Sequence, residues 1–190
     1  CQDPRMSYTQ IDNHERDSYE VRIQSKGDSG FQWILGAFSE SSKRDYEIAY
    51  LWPGANPGNL SWNVPNGQWW NLDNTREEEV EAFFGEGSLS VNDKTKLTLG
   101  FRSYDRDTMV DAKDGYFGVF DGVEKVFNSN DSGVVPKVNI AHNINDDVMV
   151  YGTYSEGFRA SGINRVRPAQ TAFIPETYDS DYLESLEFGF

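Results

Sequence analysis

The chain has 190 residues, a length that suits one domain or a piece of a larger one. Its 17 Lys and Arg against 31 Asp and Glu give a formal net charge of -14 with no basic stripe, which argues against nucleic-acid binding. No apolar run approaches the ~18 residues of a transmembrane helix, but a membrane strand needs only ~9–11 residues with every second one apolar, so strands are not excluded. The single cysteine excludes an internal disulfide framework and any CxxC zinc or redox site. It stands at position 1, so the chain starts without Met. That is compatible with a fragment of a longer protein, a matured chain or a lipoprotein acylated at Cys1, and a fragment is the reading preferred here.

In chain order the pattern predicts strands. Residues 19–25 put Tyr19, Val21 and Ile23 on one face and Glu20, Arg22 and Gln24 on the other, a strict period of two. Turn chemistry follows at residues 26–30, and residues 31–38 alternate again, with Phe31, Trp33, Leu35 and Ala37 on one side. The hairpin unit recurs as residues 79–91 and 95–104 around Asn92-Asp93-Lys94, with Leu97, Leu99 and Phe101 on one face. It recurs once more as residues 136–142 and 147–159 around residues 143–146, with Val148, Val150 and Tyr154 sharing a side. A last strand, residues 182–190, alternates Leu186, Phe188 and Phe190 against Glu187 and Gly189. Tight turns thus sit at one end, and long loops at residues 51–76, 111–133 and 160–181 are predicted at the other. Short turns opposite long loops are the pattern of outer-membrane barrels, and three loops longer than ~15 residues are unusual in a compact soluble domain. The alternation alone fits two architectures: a sandwich whose apolar face packs on a second sheet, and a wide barrel whose apolar face meets lipid.

Tyr151-Gly-Thr-Tyr-Ser-Glu-Gly-Phe-Arg159, continuing through Ala160-Ser-Gly-Ile-Asn-Arg165, resembles a characteristic strand and loop of TonB-dependent outer-membrane receptors. Glu20 to Ser25 with Phe31 to Phe38, Ala82 to Glu86 with Lys96 to Arg102, and Pro175 to Tyr178 with Ser185 to Gly189 are similar to further segments of that family, in family order. Ser161 stands where the family often has Gly, and Ser39 where an aromatic residue is common. The resemblance implies an all-β fold: antiparallel up-and-down strands forming an open, curved segment of a large transmembrane β-barrel. Residues 1–190 would be a partial barrel of about seven strands, where whole barrels of this kind have ~22. The plug domain and the remaining strands lie outside it. It further implies an outer-membrane receptor, not an enzyme, that imports a ferric siderophore or another large scarce nutrient with energy relayed by the TonB complex through the plug. Membrane lipid and lipopolysaccharide would surround it. No protein cofactor is implied, since iron would belong to the ligand.

The candidate ligand-binding residues lie in the predicted loops. Trp52, Trp62, Trp69 and Trp70 offer indole faces for a planar or sugar-like ligand, and equally serve to pack loops or form an interfacial aromatic girdle. Arg159, Asn164 and Arg165 stand where a strand enters a long loop and are suited to an anionic chelate, although Arg159 also suits pairing with a lumen carboxylate. Asp105, Asp107, Asp111 and Asp114 read as a solvated acidic loop, their spacing unlike an EF-hand. His14 and His142 have no catalytic partner at a familiar spacing, and GxSxG, P-loop and HExxH motifs are lacking. The alternative from another class is a secreted or lipid-anchored soluble β-sandwich that binds glycans with the Trp-rich loop. The two separate on one feature: a barrel leaves Tyr19, Val21, Leu97, Leu99, Val148, Val150, Leu186 and Phe188 as an exposed belt, whereas a sandwich covers them.

Overall fold

The structure, a computed structural model, describes residues 6–27, 29–52, 68–116, 124–164 and 174–190. Its strands are β1 (Ser7–Gln24), β2 (Phe31–Leu51), β3 (Gln68–Asn92), β4 (Thr95–Tyr116), β5 (Glu124–Asn143), β6 (Met149–Arg159), β7 (Gly162–Ile163), β8 (Thr177–Tyr178) and β9 (Asp181–Gly189). Seven of them form one sheet in the order β1-β2-β3-β4-β5-β6-β9, and β7 pairs with β8 alone. Every ladder is antiparallel between neighbours, so the sheet is an up-and-down meander.

The registers align the alternating faces across the sheet. On one face, Phe31, Leu89, Leu97, Ile140, Gly152 and Phe188 stand in one row. Trp33, Gly87, Leu99, Val138, Tyr154 and Leu186 form the next. Two further rows begin at Ile23–Leu35 and Val21–Ala37, and none of these four rows carries a charge. The row after them is Tyr19, Ser39, Glu81, Asp105 and Ser132, which carries two carboxylates, while on β6 and β9 the paired Glu156 and Glu184 stand one step beyond Tyr154 and Leu186. At the opposite limit Thr95 faces His142. From that row to the carboxylate row is five two-residue steps, about 34 Å along the strands, which at the ~35–45° tilt of barrel strands crosses an apolar band ~25 Å tall.

Nothing among the described residues covers this belt. Val21 is 70%, Leu186 68% and Phe188 76% exposed, and Tyr19, Leu99 and Val148 are exposed as well. Leu97 and Val150 are half-buried by their own neighbours. The sandwich alternative is thereby overturned, because it requires a second sheet over these side chains. A single sheet with a continuous uncovered apolar face is stable where that face meets hydrocarbon and not water.

The other face is polar and more enclosed, with Ala82, Thr98, Tyr104 and Thr108 buried on it. Its polar groups satisfy one another across strands. Ser88 and Thr98 share a hydroxyl contact of 2.8 Å, the Asn139 amide donates to Thr153 Oγ1 at 2.8 Å, and Lys137 pairs with Glu86 at 3.0 Å. Arg22 and Arg102 lie over the Phe84 and Phe38 rings at 5.9 and 5.5 Å. Glycines on both faces admit the aromatic ring directly opposite: Gly36 takes Phe84, Gly152 takes Phe188, and Gly189 takes Tyr151.

The strands extend well beyond the predicted ones, and this corrects the predicted loop limits. Residues 68–76 belong to β3, residues 111–116 to β4 and residues 124–133 to β5, while β7 and β8 lie within the predicted loop 160–181. Beyond the carboxylate row both faces meet polar surroundings, so the ladder continues without the apolar alternation that betrays a strand. The acidic quartet is likewise strand: Asp105, Asp107 and Asp111 point to one face of β4 and Asp114 to the other, as alternation on a strand requires.

Candidate functional site

The enclosed face, above the level of the belt, gathers the aromatic and charged groups able to hold a ligand. β5 and β6 pair only from Asn143–Met149 to Lys137–Ser155, whereas β6 and β9 stay paired up to Arg159–Asp181. The separation begins beside Pro136, which has no N–H to give to a ladder. Freed from β5, the β6–β9 ribbon twists strongly, as two-stranded ribbons do. Phe158 then lies flat on Tyr104 of β4, with centroids 3.7 Å apart and planes at 4°. The space above Gly133 is taken by the Tyr104 and Tyr182 hydroxyls, each 2.9 Å from where a Cβ would stand.

The chain after β6 stays on this surface. The Ser161 amide donates to Asp131 Oδ2 at 3.0 Å, and its hydroxyl meets that of Ser129 at 2.9 Å. Ile163 packs on the buried cluster Val110, Ala112 and Phe127. Lys125 pairs with Glu176 and lies 5.0 Å from the Phe127 ring centroid. Beside this cluster Arg76 and Arg106 share the Glu78 carboxylate, with Arg106 Nη2 to Oε1 at 2.9 Å. Asp131 stands directly opposite Arg106 in the β4–β5 register. Two guanidiniums thus share one carboxylate, and Asp131 faces Arg106 across the ladder while accepting from Ser161, so charges of both signs are gathered here. Farther up, the Asn74 amide donates to the Tyr46 hydroxyl at 2.9 Å.

The sequence candidates sit around this surface in different ways. Trp70 lies in β3, 6% exposed, in an aromatic row with Tyr50 (centroids 5.2 Å) and Tyr8 (5.6 Å from Tyr50). Trp52 follows β2 and is half-buried. Trp62 and Arg165 lie outside the described residues, as does the side chain of Trp69. Arg159 is exposed and ion-paired with Asp181, its direct partner across β6 and β9. Asn164 donates its amide to the Pro175 carbonyl at 3.0 Å, which joins the two sides of the β7–β8 hairpin. Arg159 and Asn164 thus each bond to residues of the stretch 175–181, and Trp70 belongs to the strand ends of β1–β3. Tyr104, Phe158, Arg106 and Asp131 were not singled out by sequence; the only signal was that Tyr104 continues the inward parity of Thr98, Gly100 and Arg102.

At these strand ends two exposed ion pairs shift the titration of their groups. Arg44, hydrogen-bonded to Asp12, holds the Asp12 carboxyl below its usual range and is itself raised by the same bond. A hydrogen bond to Glu124 raises Lys113. Both pairs are exposed and structural. Among the described residues no group of three His, Cys, Asp or Glu is placed to hold a metal ion. The described surface offers rings, amides and paired charges for recognition.

Residues 3–190 match the family model described as TonB dependent receptor-like, beta-barrel. The crystal structure of the ferric yersiniabactin uptake receptor FyuA from Yersinia pestis superposes with a TM-score of 0.73 at 16% identity, over 96% of this chain and 26% of that receptor. The chain spans about a quarter of that receptor's length. Comparison with curated proteins gives no significant match. The family is one of outer-membrane receptors and not of enzymes, which agrees with the uncovered belt and the enclosed polar face. This chain belongs to the TonB-dependent receptor-like β-barrel family.

Proposed function

We propose that the chain is a wall segment of an outer-membrane receptor that imports a scarce nutrient too large for porins, a ferric siderophore or similar chelate. The energy is relayed by the TonB complex through a plug domain outside this segment. The single observation carrying this reading is the pairing of faces on one sheet: an uncharged belt on one side and an enclosed, aromatic and hydrogen-bonding surface on the other. The fold shared with a receptor for ferric yersiniabactin favours an iron chelate as the ligand class. Outer-membrane phospholipid and lipopolysaccharide are the partners of the belt and of the carboxylate row above it.

Ligand capture falls to the rim residues Trp52, Trp62, Trp69, Trp70, Arg159, Asn164 and Arg165. Arg159 is the most telling of them. Its bond to Asp181 is an exposed ion pair worth about 0–1 kcal/mol, so an anionic ligand can displace the carboxylate. In the complete receptor, Arg159→Ala is expected to weaken binding of a ferric siderophore about tenfold, the size of one lost charge-assisted hydrogen bond. Asp181→Asn frees the guanidinium and is expected to tighten it. Uptake of radiolabelled iron by iron-limited cells, with and without TonB, checks the reading. TonB-independent uptake, or binding that ignores both substitutions, would remove the role given to this rim.

A further inference from the structure

Beyond the Lys137–Ser155 pair β5 still extends to Glu124 and β6 to Arg159, but the two strands are no longer paired with each other. Carried on, their shared register would set Glu156 opposite Pro136, Gly157 opposite Val135 and Phe158 opposite Val134. In that position Phe158 and its β9 partner Tyr182 would extend the uncharged row of Val21, Phe83 and Val134 on the lipid face. The structure instead holds both rings on the inward face, Phe158 flat on Tyr104 and the Tyr182 hydroxyl over Gly133. Alignment along the strand is kept: Ser161, which the same register sets opposite Asp131, donates its amide to the Asp131 carboxylate. The β6–β9 ribbon therefore lies rotated about Pro136, from the edge of β5 onto its inward face, without sliding along it.

The two positions satisfy different groups at similar gain. On the edge of β5 the ribbon adds ladder hydrogen bonds, less the one that Pro136 cannot donate. That position also brings Glu156 and its partner Glu184 into the otherwise uncharged row of Ile23, Leu35, Phe101 and Pro136, a cost that stays modest near the membrane interface. On the inward face the ribbon keeps the ring stack and the Ser161 hydrogen bond, while Arg106 Nε stays buried without an acceptor. We propose that the ribbon is a gate with two positions: zipped onto β5 as barrel wall, and folded inward as seen here, where Tyr104 and Asp131 are buried. Opening uncovers the inner surface that leads from the rim into the lumen. What the gate controls rests on the receptor reading, whereas its two positions follow from the sheet. Each position is a discrete packing, so a ligand that binds the uncovered surface shifts the balance toward the wall.

The test uses the complete receptor in lipid vesicles, free of cysteine except for Ser129→Cys and Ser161→Cys, whose parent hydroxyls are 2.9 Å apart in the inward position. Phe158→Trp places an indole on the gate, and phospholipids brominated in their acyl chains quench it only when it faces lipid. Leu186→Trp, on the exposed belt, gives the full signal. With the cysteines reduced, quenching at position 158 is expected to lie between about a tenth and nine-tenths of that reference, since the two gains match within a factor of about ten. Oxidation to the disulfide is expected to remove it. Glu156→Gln with Glu184→Gln, which spares the lipid face two charges, is expected to raise the wall-to-lumen ratio about tenfold. In iron-limited cells given radiolabelled ferric iron, the disulfide is expected to lower uptake about tenfold and a reductant to restore it. Full quenching with no disulfide would make the ribbon fixed wall, and no quenching in the reduced form would fix it in the lumen; either overturns the gate. Uptake unmoved by the disulfide removes the gating role. A parent receptor that takes up no iron overturns the receptor reading instead, and the quenching still decides the two positions.

Discussion

At the scale of single residues, the glycines of this sheet set the spacing between strands. Gly36 faces Phe84 directly across β2 and β3, and a Cβ placed on Gly36 would overlap the far end of that ring. The Phe84 ring is in turn capped by the Arg22 guanidinium at 5.9 Å, so it has little room to swing aside. Gly36→Ala is expected to destabilise the folded barrel by about 1–3 kcal/mol, the usual cost of overpacking. Gly30→Ala, where a Cβ meets nothing within 4 Å, is expected to stay within about 0.5 kcal/mol of the parent. Urea unfolding in lipid vesicles measures both. If shortening the ring, Phe84→Leu, fails to restore the stability lost in Gly36→Ala, the ring-over-glycine contact is not the cause.

At the scale of elements, the twisted β6–β9 ribbon is what builds the candidate site. It is held on β4 and β5 by the Phe158–Tyr104 stack and the Ser161–Asp131 hydrogen bond, with β7 and β8 resting on the same surface. An aromatic stack contributes about 0.5–1.5 kcal/mol beyond its buried area, so Phe158→Ala removes a principal tie. Hydrogen exchange is expected to quicken about tenfold or more in residues 158–163 and 177–182, with β2–β3 unchanged, since each 1.4 kcal/mol of local opening is a factor of ten. Equal acceleration throughout the sheet would show that the ribbon is not a separate unit. This element also marks where sequence reasoning stopped. The belt strands were legible because Val21, Leu99 and Leu186 alternate with polar neighbours between an apolar solvent and a polar lumen. Above the belt the two faces of β1, β3 and β5 meet like surroundings, so residues 7–18, 68–78 and 124–133 carry no periodic signal. Phe158 shares the parity of the lipid-facing Tyr154, yet it turns inward, and period-two reasoning assigns it to the wrong face because the twist begins at Pro136. The rim residues Arg159 and Asn164 were visible through motif resemblance, whereas their partners Asp181 and Pro175 follow only from the fold.

For the whole molecule, charge and apolarity are segregated. The net charge of -14 opposes association in water. Carboxylates flank the belt, Glu81 and Asp105 in the row above it and Glu156 and Glu184 one step beyond Tyr154 and Leu186, and the four belt rows carry no charge, so electrostatic repulsion leaves the belt unshielded. The sheet in addition has open edges at β1, which pairs only with β2, and at β9, which pairs only with β6. Unpaired edges beside an apolar face template further pairing, and screening at physiological salt limits charge repulsion to about 8 Å. The apolar face and the edges therefore outweigh the charge. The 190-residue chain produced alone is expected to sediment in aqueous buffer as a broad distribution of oligomers, and to keep its strand signal in circular dichroism only in detergent micelles or lipid. Sedimentation velocity decides the matter: a single monomeric species with full strand content in detergent-free buffer would mean that the belt is covered in solution, and the barrel reading would fall with it.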